Sequence, residues 1–207
     1  MGMTAKMRAI KEVDGDEVDV KATERGMLHN LPYKVVWTAK GYGWQAMATE
    51  AIAALVVRPS TTAAATLFNN STDKNYVIER VMTHQLVSAA AESRFGIWLC
   101  VHPVGMTAPT NDITVRNNTR GLTAGTEGIF DNGATVVDDG WFPWGESRDV
   151  EPTGVLPGAQ VCAEINGRII LPPTSAISAH IVASSVNEDF TIGFHWFAVP
   201  ISEFKMG

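Results

Sequence analysis

Short runs of alternating apolar and polar residues dominate the chain from Ala51 onward, and they predict strands. Tyr76–Ser88 (YVIERVMTHQLVS) sets Val77, Glu79, Val81 and Thr83 against Ile78, Arg80 and Met82. After a connector at 89–93, RFGIWLCVHP reads as the return strand of a long antiparallel pair. Ala51–Pro59 is a continuous apolar run, and ATLFNNSTDKN is a strand entering a polar turn. Further strands are expected at Gln160–Ile165, Arg168–Leu171, Ala176–Ala183 and Phe190–Val199, so that the last forty residues form a hairpin-like unit with Pro-Pro and Asn-Glu-Asp turns. In the closing strand, Phe190, Ile192, Phe194, Trp196 and Ala198 share one face, and Thr191, Gly193, His195 and Phe197 the other. Both faces are apolar enough to place this strand centrally between two layers.

The segment 106–158 has a different texture, rich in Gly, Asn, Thr, Asp and Pro. Asp131-Asn132-Gly133 and Asp138-Asp139-Gly140 are turn signals, with short strands expected at Ile113–Arg116 and Ala134–Val137. No stretch sustains helical spacing for three turns. Many short strands with frequent turns predict an all-β chain, an antiparallel β-sandwich, with the jelly roll as the expected topology.

Residues 1–50 lack a core of their own. VDGDEVDV, which contains Val18 and Val20, suits an exposed hairpin or an extended strand. Tyr33, Trp37, Tyr42 and Trp44 are more aromatic content than a disordered tail carries. The expected organisation is an extended N-terminal arm over 1–50, which orders on a partner, and a sandwich domain over 51–207.

Charge and composition narrow the function. A net charge of −6 without a basic run argues against a nucleic-acid partner. No apolar run approaches a membrane span, and no secretory signal is visible, so synthesis in a reducing cytoplasm is expected. Cys100 and Cys162 sit in apolar runs and read as buried thiols. The five histidines, His29, His84, His102, His180 and His195, offer no His-x-His or His-x3-His pair. His195 draws interest because aromatics surround it. There is no Gly-x-Ser-x-Gly, no Cys-x2-Cys and no strand–GxGxxG–helix order; Cys100 and His102 read as neighbours on one strand. The sequons at Asn69, Asn70 and Asn117 read as turn chemistry. No catalytic residue, metal site or cofactor is therefore expected. Trp141, Phe142 and Trp144 form the most suggestive local feature, read as a plug, a subunit interface or a sugar-stacking platform.

Three pieces together resemble the virion structural proteins of tailed bacteriophages, of the head decoration (cement) type: the opening AIKEVDGDEVDVKATERGMLHN, the strand–turn–strand RIILPPTSAISAHIVAS, and the closing DFTIGFHWFAVP. The resemblance implies a homotrimer on the capsid surface that does no chemistry. It would clamp the major capsid protein, or other virion subunits, with its arm. On this chain the clamp would draw on Val18, Val20, Tyr33, Trp37 and Trp44, and the trimer contact on the aromatic loop or the terminal strands. A receptor- or carbohydrate-binding module of a phage tail or fibre, with Trp141 and Trp144 as its platform, is the alternative.

Overall fold

The computed structural model describes residues 8–10, 17–19, 32–87, 93–110, 113–119, 125, 127–144, 148–150 and 160–204. In chain order the elements are β1 (Arg8–Ile10), β2 (Glu17–Asp19), α1 (Tyr33–Ala39), β3 (Gly43–Met47), β4 (Ile52–Ala53), β5 (Ala65–Phe68), β6 (Lys74–Val87), β7 (Ser93–His102), β8 (Arg116–Asn117), β9 (Ile129–Asn132), β10 (Phe142–Pro143), β11 (Arg148–Val150), β12 (Gln160–Leu171), β13 (Ala176–Ala183) and β14 (Asp189–Pro200).

Contacts divide the chain into two units, Met1–Val36 and Trp37–Gly207. In the first, β1 and β2 pair antiparallel, with Ala9 opposite Val18. Val20 lies outside the described residues, as does half of the expected arm. The second unit is the expected antiparallel sandwich. One sheet has the order β10-β7-β13-β5-β9, with β11 also on β7; the other has β12-β6-β14-β3-β8, with β4 also on β14. The boundary expected at residue 50 falls earlier, because β3 is an integral strand of the second sheet, with Trp44 opposite Trp196.

Two expected pairings are replaced. β6 and β7 do not form a hairpin: β6 lies between β12 and β14 in one sheet, and β7 pairs with β13 in the other. Nor are the last three strands a hairpin unit, since β13 lies in the first sheet and β12 and β14 in the second. Alternation reports which side of a strand is apolar, not which strand lies beside it. A helix also forms where none was expected. Pro32 precedes α1 and its carbonyl accepts from Val35 N–H at 2.9 Å; Gly41, at φ +82°, ends it.

The main core fills the space between the sheets. Phe95 of β7 meets Phe190 at 4.6 Å between ring centroids, and Phe130 of β9 meets Phe194 at 5.7 Å, so β14 is tied to the opposite sheet by aromatic pairs. In β6 the core face changes parity. Tyr76 and Ile78 point inward, then Val81, Thr83 and Gln85 do, because the ladder with β14 shifts register between the His195–Arg80 and Trp196–Ile78 pairs. The matching irregularity in β12 lies between Glu164 and Ile169, where Asn166 and Gly167 both take positive φ.

Asn69 shows how the polar turns hold. Its side-chain amide donates to the carbonyls of Lys74 (2.9 Å) and Leu171 (2.8 Å), and its oxygen accepts from Ser71 N–H. Asn117 likewise donates to Gly41 O and accepts from Thr119 N–H. Both are buried, in keeping with turn chemistry.

Candidate functional site

The outward faces of the two sheets carry the candidate chemistry. On the second sheet, β3, β14 and β6 and the 113–116 segment enclose a half-open concavity of about 460 Å³. Gln45, Met47, Met82, Ile113, Arg116 and His195 line it. Alternation along β14 turns His195 to this face, while Phe194 and Trp196 go to the core. Burial holds the His195 imidazole below its ordinary pKa, and the Arg80 guanidinium adds to this. The ring is therefore a neutral hydrogen-bonding group at pH 7. Beside it, two flexible thioethers give the wall a surface that can repack around a ligand.

On the first sheet, the outward face is covered by residues 133–141 of the same chain. Ala63, Cys100, Ala134, Val136 and Trp141 form a small separate cluster there, joined by Trp98 and Met106. Arg58 clips the crossing segment by donating to Trp141 O (3.0 Å) and Asp139 O. Beneath it runs a polar chain. Asp138 Oδ2 lies 2.9 Å from His102 Nδ1, His102 Nε2 lies 2.8 Å from Ser178 Oγ, and Ser178 Oγ lies 2.8 Å from Thr66 Oγ1. The other Asp138 oxygen accepts from Gly140 N–H at 2.6 Å. That bond is the main reason the Asp138 carboxyl titrates below its usual range. Cys100 Sγ sits 3.9 Å from His102 Nδ1, and burial pushes its thiol up to about 12.

Asp138, His102 and Ser178 stand in the order of a hydrolase triad. The serine, however, is sealed. It is 0% exposed, on β13 between β5 and β7, and its hydroxyl already meets Thr66. A nucleophile must reach a substrate carbon, and this one has no open side. Among the described residues, Cys100, His102 and Asp138 are the group whose donor atoms lie close enough to share a metal ion, all within 4.8 Å.

Nearby on β13, His180 is buried, and desolvation holds its imidazole below the ordinary pKa. Its Nδ1 lies 2.9 Å from Ile181 N–H and 3.0 Å from the Ile181 carbonyl oxygen, so the ring is held by the backbone of its own neighbour. The unfolded chain takes up a proton below about pH 6.5 and the folded chain resists it. Stability is therefore full above that pH and falls as pH drops below it, by at most about 1.4 kcal/mol per pH unit for this group. Urea unfolding at pH 7.5, 6 and 5 is expected to show this slope, and His180→Asn, which keeps an acceptor near Nδ1, to flatten it. An unchanged slope in the variant would assign the acid sensitivity elsewhere.

The expected site residues fall in both units of the chain. Val18 lies on β2, in the first unit, and Tyr33 is exposed at the start of α1. Trp37 packs edge-on against Phe197 (5.5 Å) and Phe204 (6.4 Å), and Trp44 is buried in the main core. The Trp44 ring is enclosed in the core, and Trp37 is partly buried against a small cluster of Val77, Phe197 and Val199 outside it. Trp141 is 3% exposed, so it is a plug and not half of a sugar platform. Phe142 and Trp144 are partly buried against the main core, and the Arg168 guanidinium lies 4.9 Å over the Trp144 ring. The cluster that sequence reasoning missed is Cys100, His102 and Asp138. Cys-x-His on a strand puts both side chains on one face, but the third member comes from a turn 36 residues away. No protein-family model and no curated protein matches the chain.

Proposed function

We propose that this chain is a non-enzymatic virion structural protein, a head decoration (cement) subunit of the tailed-bacteriophage type, which binds the assembled capsid through its N-terminal region and itself as a homotrimer. The observation that carries this reading is the strand order. β3-β14-β6-β12 and β5-β13-β7-β10 form the two facing layers, and the chain passes between layers from β5 to β6, β6 to β7, β12 to β13 and β13 to β14. That order supports the winding of a jelly roll, an eight-stranded double Greek key used by viral capsid and lectin domains. The sealed serine and the acidic, unclustered charge agree with a binding role. The tail- or fibre-module alternative shares the fold, but its aromatic platform loses Trp141 to the interior and the Trp144 face to Arg168.

Multivalency would supply the affinity. Three weak arms on one trimer gain roughly 10²–10⁴-fold through effective concentration. The test compares the full chain with one starting at Trp37 in co-sedimentation with heads that lack the protein. The expected result is a trimer by light scattering, binding of the full chain, and at least roughly ten-fold weaker binding of the shortened one at unchanged thermal midpoint. Absence of the protein from purified particles, or equal binding of the two, would overturn the proposal.

A further inference from the structure

We propose that Cys100, His102 and Asp138 bind a tetrahedral transition-metal ion of the zinc(II) class, which locks the 133–141 segment onto the outward face of the first sheet.

The ladder fixes two of the ligands. Cys100 and His102 are two apart on β7, hence on one face, and their backbones are held opposite Ser178 and Ala176 of β13. The third ligand arrives from the crossing segment, where Asp138 N–H donates to Ser60 O at 3.1 Å. Ordinary zinc bond lengths put tetrahedral ligand atoms about 3.4–3.6 Å apart. Here the S–N distance is 3.9 Å, the N–O distance 2.9 Å and the remaining S–O distance no more than 4.8 Å, so the ion needs adjustments from about half an ångström to about one, within the reach of side-chain torsions.

The surroundings are those a metal site requires. A ligating histidine holds its other ring nitrogen in a hydrogen bond that fixes the tautomer. With the ion on Nδ1, Nε2–H donates to Ser178 Oγ, and Ser178 donates to Thr66 Oγ1, using the two 2.8 Å contacts already present. Gly140 N–H occupies Asp138 Oδ1 and leaves Oδ2 for the ion. Asp138 also borders a surface depression lined by Ser60, Thr61, Val137 and Asp139, the side from which an ion and a fourth, water ligand would approach. One thiolate, one imidazole and one carboxylate suit zinc or cobalt(II) and not the all-oxygen preference of calcium or magnesium. The site is independent of the capsid proposal, because it fastens the chain to itself.

The test is titration of the intact, reduced protein with cobalt(II), then zinc(II). The expected result is one cobalt per chain, with a thiolate-to-cobalt charge-transfer band and tetrahedral d–d bands that zinc displaces, and a higher thermal midpoint with zinc. Cys100→Ser is expected to lose the charge-transfer band, and Cys162→Ser to keep it. Ser178→Ala, which retains all three ligands, is expected to weaken zinc binding about 10–100-fold. No charge-transfer band from the folded wild-type protein, or a band that survives Cys100→Ser, would overturn the proposal. Should Cys100→Ser fail to fold, by circular dichroism, the Ser178→Ala affinity and the Cys162→Ser band still decide it: unchanged zinc affinity in the first or a lost band in the second rejects the site.

Discussion

Phe194→Ala is expected to lower the unfolding free energy by about 3–5 kcal/mol and the thermal midpoint by roughly 6–20 °C. Phe194 is fully buried at the middle of β14, the strand that pairs with both β6 and β3. Its ring lies 5.7 Å from Phe130 on β9, a strand of the opposite sheet. Truncation removes the transfer free energy of the ring and leaves a cavity at the contact between the layers. The surroundings cannot collapse into it, because ladders on both sides fix the β14 backbone. Phe194→Leu is expected to recover more than half of the loss. Chemical denaturation of the three proteins decides the matter, and a loss under about 1 kcal/mol for the alanine variant would mean that the two layers are not held together here.

Apolar residues on both faces of β14 point to a strand between two layers; it lies instead at the middle of one layer, between β6 and β3. Phe190, Ile192, Phe194 and Trp196, at every second position, mark one buried face, and His195 falls on the other as expected. The face reading of β6 held only as far as Glu79. Beyond it the register shift moves the core from even to odd positions, and no residue type announces a bulge in a strand of mixed apolar and polar residues. Strand partners were not legible at all. The 89–93 connector suits a hairpin in length, yet it joins strands of opposite sheets, because both edges of β6 are already taken by β12 and β14. α1 escaped notice because seven residues are too few to show a helical period. At the site, Asp138 is the turn residue its Asp-Asp-Gly sequence signals, through Gly140; its second oxygen meets His102 only because the segment folds back over the sheet. Trp141 illustrates the limit from the other side. An aromatic in a Gly- and Asp-rich loop leaves a plug, a subunit interface and a sugar platform open, and only its burial makes this one the plug of the small cluster over β7.

Gly193→Val is expected to detach β3. The bland expectation runs the other way, since replacing a strand-interior glycine by a β-branched residue gains about 0.5–1 kcal/mol of conformational preference. At this position a Cβ would lie 2.7 Å from the Ala46 carbonyl oxygen and 2.9 Å from the Met47 sulfur and methyl. The Met47 side chain can swing away. The carbonyl cannot, because Ala46 is paired with Phe194 in the same ladder. Relief therefore requires β3 to move off β14, which exposes Trp44 and Ala46 of the main core. The clash alone costs about 1–3 kcal/mol, enough to reverse the sign of the propensity gain, and valine adds two methyls to it. β3 also forms one wall of the concavity, at Gln45 and Met47 beside His195 of β14, so a ligand of that face would be lost with it. Hydrogen exchange is expected to show lost protection at Gly43–Met47 with unchanged protection at Ala65–Phe68 in the opposite sheet, together with a lower denaturation midpoint. Unchanged exchange in β3 would mean that the sheet can take a side chain at Gly193, and the absence of a side chain there would then need another physical cause.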